Sequence, residues 1–175
     1  MSFYRLFLLS VILVSAGFLP GCGYHVGSIS HPQIKSVAIA DVKNETYEVL
    51  AAALLRSILA ERFQFDNSLK LTSMERADCI VYARVTKVSN SSISWTYNSK
   101  TDDENYRANE YQLTVTVEYL VRMPGRGKPL VPKSFAVGSS KYLFSHDPAI
   151  GRVSALKQAM LRVSDQIVSA TTEAW

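Results

Sequence analysis

Cys22 is the residue whose type and neighbours most clearly indicate covalent chemistry. Leu19-Pro20-Gly21 precedes it, so an aliphatic residue stands three positions before the cysteine and a small residue directly before it. Bacterial lipoprotein processing recognises this pattern, because the thiol accepts a diacylglyceryl group and the peptidase needs small residues beside the bond that it cuts. Pro20 departs from the small or β-branched residue that is usual there. The sequence predicts acylation of Cys22 and cleavage before it.

Residues 1–21 have the organisation of a signal peptide. Arg5 is basic, and an almost unbroken apolar run from Leu6 to Phe18 follows it. This run is too short for a membrane-spanning helix, which needs roughly 20 residues. One acyl chain binds a membrane marginally and two or more bind it stably, so the processed chain would be membrane-anchored. An ordinary secretory signal, in which Cys22 is incidental, is the alternative.

Motifs for catalysis and for metal binding are missing from the sequence. It contains no G-x-S-x-G elbow, no G-x-x-x-x-G-K-[ST] loop and no H-E-x-x-H motif. His25, His31 and His146 lack metal-ligand spacing to a cysteine or to one another. Asp102-Asp103-Glu104 is typical of a solvated loop tip. We therefore expect a binding or structural protein that is not an enzyme and needs no cofactor or metal ion.

The composition narrows the possible partners. The formal charge of +4 at pH 7 is a mild excess, and no dense Lys/Arg run indicates a nucleic-acid partner. The sequence has 2 cysteines, and acylation of Cys22 would leave Cys79 without a disulfide partner. Cys79 lies in an apolar strand pattern, so a buried structural thiol is the expected role, with a reactive thiol as the alternative.

Hydrophobic periodicity predicts the elements that follow a tether at residues 22–33. Their order is strand, helix, short strand, three longer strands and helix. The predicted strands are Ile34–Val42, Leu69–Thr72, Cys79–Tyr97, Tyr111–Arg122 and Val131–Phe144, and the predicted helices are Tyr47–Phe63 and Pro148–Thr171. A loss of phase near Val88 indicates a bulge or twist.

These elements predict an α+β fold. Both helices have one apolar stripe, so the economical arrangement is a two-layer sandwich: a mostly antiparallel sheet of four to five strands with two helices packed on one face. The domain boundaries are then 1–21 for the signal peptide, 22–33 for the lipidated tether and 34–175 for a single domain. The apolar stripe of the first helix includes Leu50, Leu54 and Ile58, and that of the last helix begins at Val153. The expected core residues are Val37, Ile39, Leu54, Ile58, Val115, Val117, Phe135, Leu156, Met160 and Val163. The expected polar, uncovered face of the sheet carries Tyr82, Arg84, Thr114, Thr116, Ser134 and Ser140.

Several motifs, in order, resemble one family. Gly21-Cys22-Gly23-Tyr24-His25-Val26 resembles the processed start of the LptE lipoproteins, which partner the outer-membrane lipopolysaccharide translocon. Ile34–Ile39, Asn44–Glu48, Glu75–Asp78 and Glu110–Val115 are also similar to that family. Val42-Lys43 departs from it, because an aromatic residue is expected before the asparagine.

The resemblance implies a location and two partners. A member of this family would be held at the periplasmic face of the outer membrane, would plug a large β-barrel translocon and would bind lipopolysaccharide. Gly23, in place of an aspartate after the cysteine, is compatible with sorting to the outer membrane. The alternative is a periplasmic lipoprotein that activates a cell-wall synthase or forms part of a secretion or flagellar complex.

Basic residues near one end of the predicted sheet are candidate lipopolysaccharide ligands. Antiparallel pairing would bring them together, and such a cluster can hold phosphates by charge-assisted hydrogen bonds. The candidates are Arg84, Arg122, Arg126, Lys128 and Lys133. A solvated hairpin tip, whose charges only aid solubility, is the alternative.

Replacement of Cys22 tests the predicted anchor. The variant Cys22→Ser cannot accept a diacylglyceryl group, so we expect an unprocessed or soluble chain where the wild type is processed and membrane-bound. Intact-mass measurement on membrane and soluble fractions distinguishes the forms. A wild-type mature chain that is unmodified and begins at another residue would contradict the prediction.

Overall fold

The computed structural model describes residues 34–97, 106–144 and 148–173. In chain order the elements are β1 (Ser36–Ile39), β2 (Lys43–Asn44), α1 (Ala51–Asp66), β3 (Lys70–Leu71), β4 (Cys79–Tyr97), β5 (Tyr106–Arg122), β6 (Val131–Leu143) and α2 (Pro148–Thr172). This order confirms the predicted one, with the addition of β2. The expectations for Cys22, the tether, Asp102-Asp103-Glu104 and the three histidines lie outside the described residues.

The strands of the described chain form one mixed sheet of six strands, in the order β3-β1-β4-β5-β6, with β2 also beside β4. β1 is parallel to β3 and β4, and β2 is parallel to β4. β4, β5 and β6 are antiparallel. The predicted sheet of four to five mostly antiparallel strands is therefore only approximate. A helix between β1 and β3 lets the chain return to the starting end of β1, which makes the next strands parallel to it.

β4 and β5 form the long ladder on which the helices pack. The odd-numbered residues of β5 are buried from Leu113 to Val121, and the even-numbered residues alternate with them on the other face. This strict period of two confirms the prediction of one apolar and one polar face. The register shifts between Val85 and Lys87, close to the predicted bulge.

Both described helices bury apolar side chains against the same face of the sheet. The fully or nearly buried side chains of α1 are Ala51, Leu55, Ile58, Leu59 and Phe63, and those of α2 include Leu156, Met160, Val163 and Ile167. They share one core with the inner face of β4 and β5. The predicted two-layer arrangement is confirmed.

For two residues, the predicted position on a buried helix stripe is wrong. Leu50 is exposed because α1 begins at Ala51 and the predicted first turn from Tyr47 is a loop. Val153 is exposed because the buried stripe of α2 begins two residues later, at Ala155. Leu54 is only partly buried.

The phase of β6 also differs from the prediction. Phe135 is 63% exposed and Val137 is 48% exposed, on the face that no described helix covers. Ser134 and Ser140 pair with Tyr119 and Leu113, so they lie on the helix side and not on the open face. Residues that lie opposite each other in paired strands have their side chains on the same face. A shift of the strand by one residue therefore moves each of its side chains to the other face.

Gly138 explains why β6 has this phase. A Cβ atom at Gly138 would lie 2.1 Å from the carbonyl oxygen of Ala159 in α2. The helix therefore crosses the strand so closely that only small residues, Gly138 and the buried Ala136, fit beneath it. The larger Phe135 and Val137 must occupy the alternate positions.

Asp78 and Cys79 join the start of β4 to the start of β1. The Asp78 carboxylate accepts hydrogen bonds from the Lys35 and Ser36 amides, both at 3.0 Å, and from the Ser36 hydroxyl at 2.8 Å. The bond from the Lys35 amide contributes most to lowering the pKa of Asp78. Cys79 is fully buried, and this burial raises the pKa of its thiol to about 12. The predicted burial of Cys79 is therefore confirmed.

A charge placed on either face of β5 tests the strand phase. Val117→Asp puts an unpaired carboxylate in the core, which should cost more than about 3 kcal/mol and abolish folding. The matched control Thr116→Asp lies on the open face beside Lys87 and should melt within a few degrees of the wild type. Circular dichroism melting compares them. Equal melting of both variants would show that the two faces are wrongly assigned.

Candidate functional site

The open face is the side of β4, β5 and β6 that no described helix covers. The ladder pairs fix its members, because residues opposite each other share a face. They are Tyr82, Arg84, Lys87, Ser89 and Ser91 of β4, Gln112, Thr114, Thr116, Glu118 and Leu120 of β5, and Lys133, Phe135, Val137, Ser139 and Lys141 of β6. Four of the six residues predicted for this face are confirmed.

A row of alternating charges crosses the open face, and we name it the charge row: Glu45, Arg84, Glu118 and Lys133. Arg84 lies 2.8 Å from the Glu45 carboxylate and forms a second ion pair with Glu118. The Lys133 ammonium lies 2.7 Å from the other oxygen of Glu118. The two acids and two bases of the row balance one another.

The pKa values in the charge row reflect this pairing. The hydrogen bond from Lys133, followed by that from Arg84, lowers the pKa of Glu118. The hydrogen bond to Glu118 is the largest cause that raises the pKa of Arg84, and the one to Glu45 follows. The Arg84 guanidinium and the Lys133 ammonium already have carboxylate partners. A further anion that bound either of them would compete with these ion pairs.

The remaining basic candidates lie in the turn between β5 and β6. Arg122, Arg126 and Lys128 form what we name the basic turn. The Arg126 amide donates to the Met123 carbonyl at 3.2 Å, and Gly125 adopts a φ of 77°, which suits glycine. Together these interactions close the tight bend that carries all three basic side chains.

The predicted basic cluster is therefore divided. Ile80 pairs with Arg122, and Arg84 lies four residues further along β4, which is roughly 13 Å at about 3.3 Å per residue. Lys133 is near the turn, but its ammonium pairs with Glu118. The structure brings Arg122, Arg126 and Lys128 together and assigns Arg84 and Lys133 to the charge row.

An open groove of about 350 Å³ lies between the charge row and the basic turn. Its lining includes Asp41, Lys43, Tyr82, Arg84, Leu120 and Arg122. The sequence alone does not predict Glu45, Glu118, Asp41 or Lys43 as site residues. For Glu118 a signal existed, since the residue alternates with the buried positions of β5.

The part of the open face around the Ser89–Thr114 pair consists mainly of small polar side chains. Ser89 pairs with Thr114, Ser91 with Gln112, and Lys87 with Thr116. Hydroxyl and amide groups can exchange water for another polar surface at little cost. This part of the sheet is therefore suited to contact a polar wall.

The loop before α1 is rigid and carries exposed apolar side chains. Asn44 Oδ1 accepts hydrogen bonds from the Thr46 amide at 3.0 Å and the Thr46 hydroxyl at 2.8 Å. Arg152 of α2 donates to the Glu48 carboxylate at 2.5 Å. These contacts hold Tyr47, which is fully exposed, at one end of the domain. The Asn44 side chain stabilises this loop, and α1 begins without a side-chain cap.

Within residues 34–97, 106–144 and 148–173, no group of three His, Cys, Asp or Glu side chains could hold a metal ion. In the same ranges, no helix is both long enough and apolar enough to cross a membrane.

Solved structures share the fold of this chain. A Xanthomonas campestris protein is 11% identical, with a TM-score of 0.52, over 81% of this chain and 86% of its own. A hypothetical protein from Chlamydia trachomatis is 11% identical, with a TM-score of 0.50, over 79% of this chain and 98% of its own. The rare lipoprotein B from Shewanella oneidensis is 17% identical, with a TM-score of 0.42, over 76% of this chain and 92% of its own. At these identities the likeness concerns the fold alone.

Among curated protein sequences, none matches the chain. The family model described as "LptE: Lipopolysaccharide-assembly" matches residues 34–171. The matched range runs from just before β1 to the last turn of α2, so it includes every described element. The chain therefore belongs to the LptE family of lipopolysaccharide-assembly proteins.

Proposed function

We propose that this chain is an outer-membrane lipoprotein, acylated at Cys22, that partners and plugs a β-barrel translocon and assists lipopolysaccharide assembly at the cell surface. The observation that carries the proposal is the uncovered polar face of the sheet, in a chain that belongs to this family. Residues 1–21 act as the signal peptide in this account, residues 22–33 as the lipidated tether and residues 34–175 as the domain that makes the contacts.

The chemistry of the open face supports contact with a barrel lumen. Large outer-membrane barrels have a polar interior, which favours hydroxyl, amide and charged side chains over apolar ones. Ser89, Thr114 and Gln112 offer such groups on a rigid ladder, and the charge row has no net charge. The ion pairs of the charge row can be buried against a polar wall without leaving one of their charges unpaired.

The role we propose is one of binding and assembly, without catalysis. The side chains on the open face are mainly hydroxyls, amides and charges, with Tyr82, Leu120, Phe135 and Val137 among them. The described thiol, Cys79, is buried and has a pKa too high for a nucleophile at neutral pH. The partners are then the barrel, lipopolysaccharide and the membrane that holds the acyl chains.

The basic turn is the part of the predicted cluster best suited to lipopolysaccharide. Arg122 and Lys128 are exposed, and Arg126 lies in the same bend. Arginine and lysine side chains hold phosphate by charge-assisted hydrogen bonds. Arg84 and Lys133 are less suited, because both already form ion pairs with Glu118.

Isolation of the full chain with its partner tests the proposed complex. The tagged chain, extracted from membranes in a mild detergent, should co-purify with an integral outer-membrane β-barrel in a stoichiometric amount. Mass spectrometry identifies the band. Recovery of a cell-wall synthase or a secretion component as the stoichiometric partner would instead support the alternative function and exclude the barrel plug.

Charge reversal in the basic turn tests the glycolipid contact. The triple variant Arg122→Glu, Arg126→Glu and Lys128→Glu should bind lipopolysaccharide at least about tenfold more weakly, because attraction to its phosphates becomes repulsion. The wild-type affinity should also fall with added salt. Binding is measured by fluorescence titration, and the melting temperature of the variant should equal that of the wild type.

A charge-matched control separates a local contact from the effect of net charge. Lys70→Glu, Lys87→Glu and Lys157→Glu change the total charge by the same amount at exposed positions away from the basic turn. This control should keep most of the wild-type affinity. Equal losses in both triple variants, or no loss in either, would remove the basic turn from the binding site.

A further inference from the structure

One block of the open face consists almost entirely of hydroxyl and amide side chains, and we name it the docking patch. Its three rows cross β4, β5 and β6, because each member of β5 pairs with one residue on either side. Apart from one valine and two lysines, every member carries a hydroxyl or a side-chain amide, so another polar surface can approach closely. The rows are Lys87, Thr116 and Val137, then Ser89, Thr114 and Ser139, then Ser91, Gln112 and Lys141.

The docking patch carries two positive charges and no negative one. Lys87 and Lys141 are exposed, and neither forms an ion pair with any described residue. Glu45 and Glu118, the carboxylates of the neighbouring charge row, already pair with the cations of that row. Glu110 lies one row beyond the patch on the same face, and it forms no ion pair with Lys141. The charge of the patch is therefore not balanced within the described chain.

The two lysines lie at opposite corners of the docking patch. Lys87 and Lys141 are two strands apart, which is roughly 10 Å, and four residues apart along the strands, which is roughly 13 Å. Their Cα atoms are therefore separated by roughly 16 Å, with hydroxyl groups between them. Cations that hold one phosphate lie side by side, as in the basic turn. The lysines of the patch are instead suited to two separate anions.

Contact with another surface would remove water from both ammonium groups. A hydroxyl or an amide exchanges water for a polar wall at little cost. An ammonium that is buried without a charged partner is strongly unfavourable, and neutral polar groups do not balance its charge. A carboxylate balances it and accepts charge-assisted hydrogen bonds from it.

We propose that the surface which docks on this patch is acidic, with one carboxylate opposite Lys87 and a second opposite Lys141. The proposal rests on the proposed function, in which that surface is the wall of a barrel lumen, and it adds the charge that the wall carries. The hydroxyl side chains between the two lysines need hydrogen-bonding partners across the contact. A wall of polar side chains on barrel strands supplies them between the two carboxylates.

Zero-length cross-linking tests the charge of the partner surface directly. A carbodiimide joins a lysine amine to a carboxylate as an amide, with loss of water, only where the two groups are in contact. In isolated membranes that contain the full chain, Lys87 and Lys141 should each be linked to an aspartate or glutamate of one integral outer-membrane β-barrel. Mass spectrometry of the linked peptides identifies the residues on both sides.

Two double variants separate the reactive amine from the charge. Lys87→Arg with Lys141→Arg should co-purify with as much barrel as the wild type and lose both links, because a guanidinium keeps the charge without forming the amide. Lys87→Glu with Lys141→Glu should recover at least about tenfold less barrel, because two attractions become repulsions. The latter variant should melt within a few degrees of the wild type and bind lipopolysaccharide equally well, since its basic turn is unchanged.

A charge-matched control and the wild type decide between the possible failures. Lys70→Glu with Lys157→Glu makes the same change in total charge at exposed positions outside the open face, and it should recover the barrel fully. The proposal is overturned if the wild type recovers the barrel without a carboxylate link to either lysine, or if the two glutamate variants recover equal amounts. The barrel partner itself would still stand. A wild type that recovers no barrel would overturn the proposed function and, with it, the acidic wall.

Discussion

The close crossing of α2 over β6 is the constraint on which the rest of the structure depends. The carbonyl of Ala159 leaves no room for a Cβ atom at Gly138, so the small residues of β6 face the helix and its larger residues face outward. That crossing covers β5 from one side, and none of the helices in the described part of the chain covers the other side of the sheet. It also places α2 so that Gln166 can reach the edge of the sheet.

The uncovered face then has to be stable in water and available for contact. Arg84 is paired with Glu45 and Glu118, and Lys133 with Glu118, so the charge row has no net charge. Lys87 and Lys141 lie on the same face and add positive charge to it. Ion pairs near the surface contribute little to stability. A polar surface of this kind would match a lining of polar side chains in a barrel. In the proposed function, Arg122 and Lys128 of the basic turn, which lie outside this network, contact the anionic ligand.

The sequence predicted the parts of this arrangement that local patterns determine. The alternation of β5, the bounds of β4 and the one-sided stripe of α2 followed from periodicity within each segment. The phase of β6 could not be predicted, because Phe135 and Val137 look like core residues until the approach of α2 to Gly138 is known. The division of the basic cluster depends on pairs such as Arg84 with Glu118, 34 residues apart, which no local pattern contains. Tyr47 likewise lies in an exposed loop, where the sequence predicts a helical turn.

The central claim is that the open face of the sheet contacts a translocon barrel. Site-specific photo-cross-linking in intact cells tests it most directly, with the reactive side chain at Thr114 on the open face or at Lys157 on the solvent side of α2. The account predicts that the Thr114 position gives the stronger cross-link to one integral outer-membrane β-barrel. The claim would be contradicted if Thr114 gave no cross-link to such a protein, or if only Lys157 did.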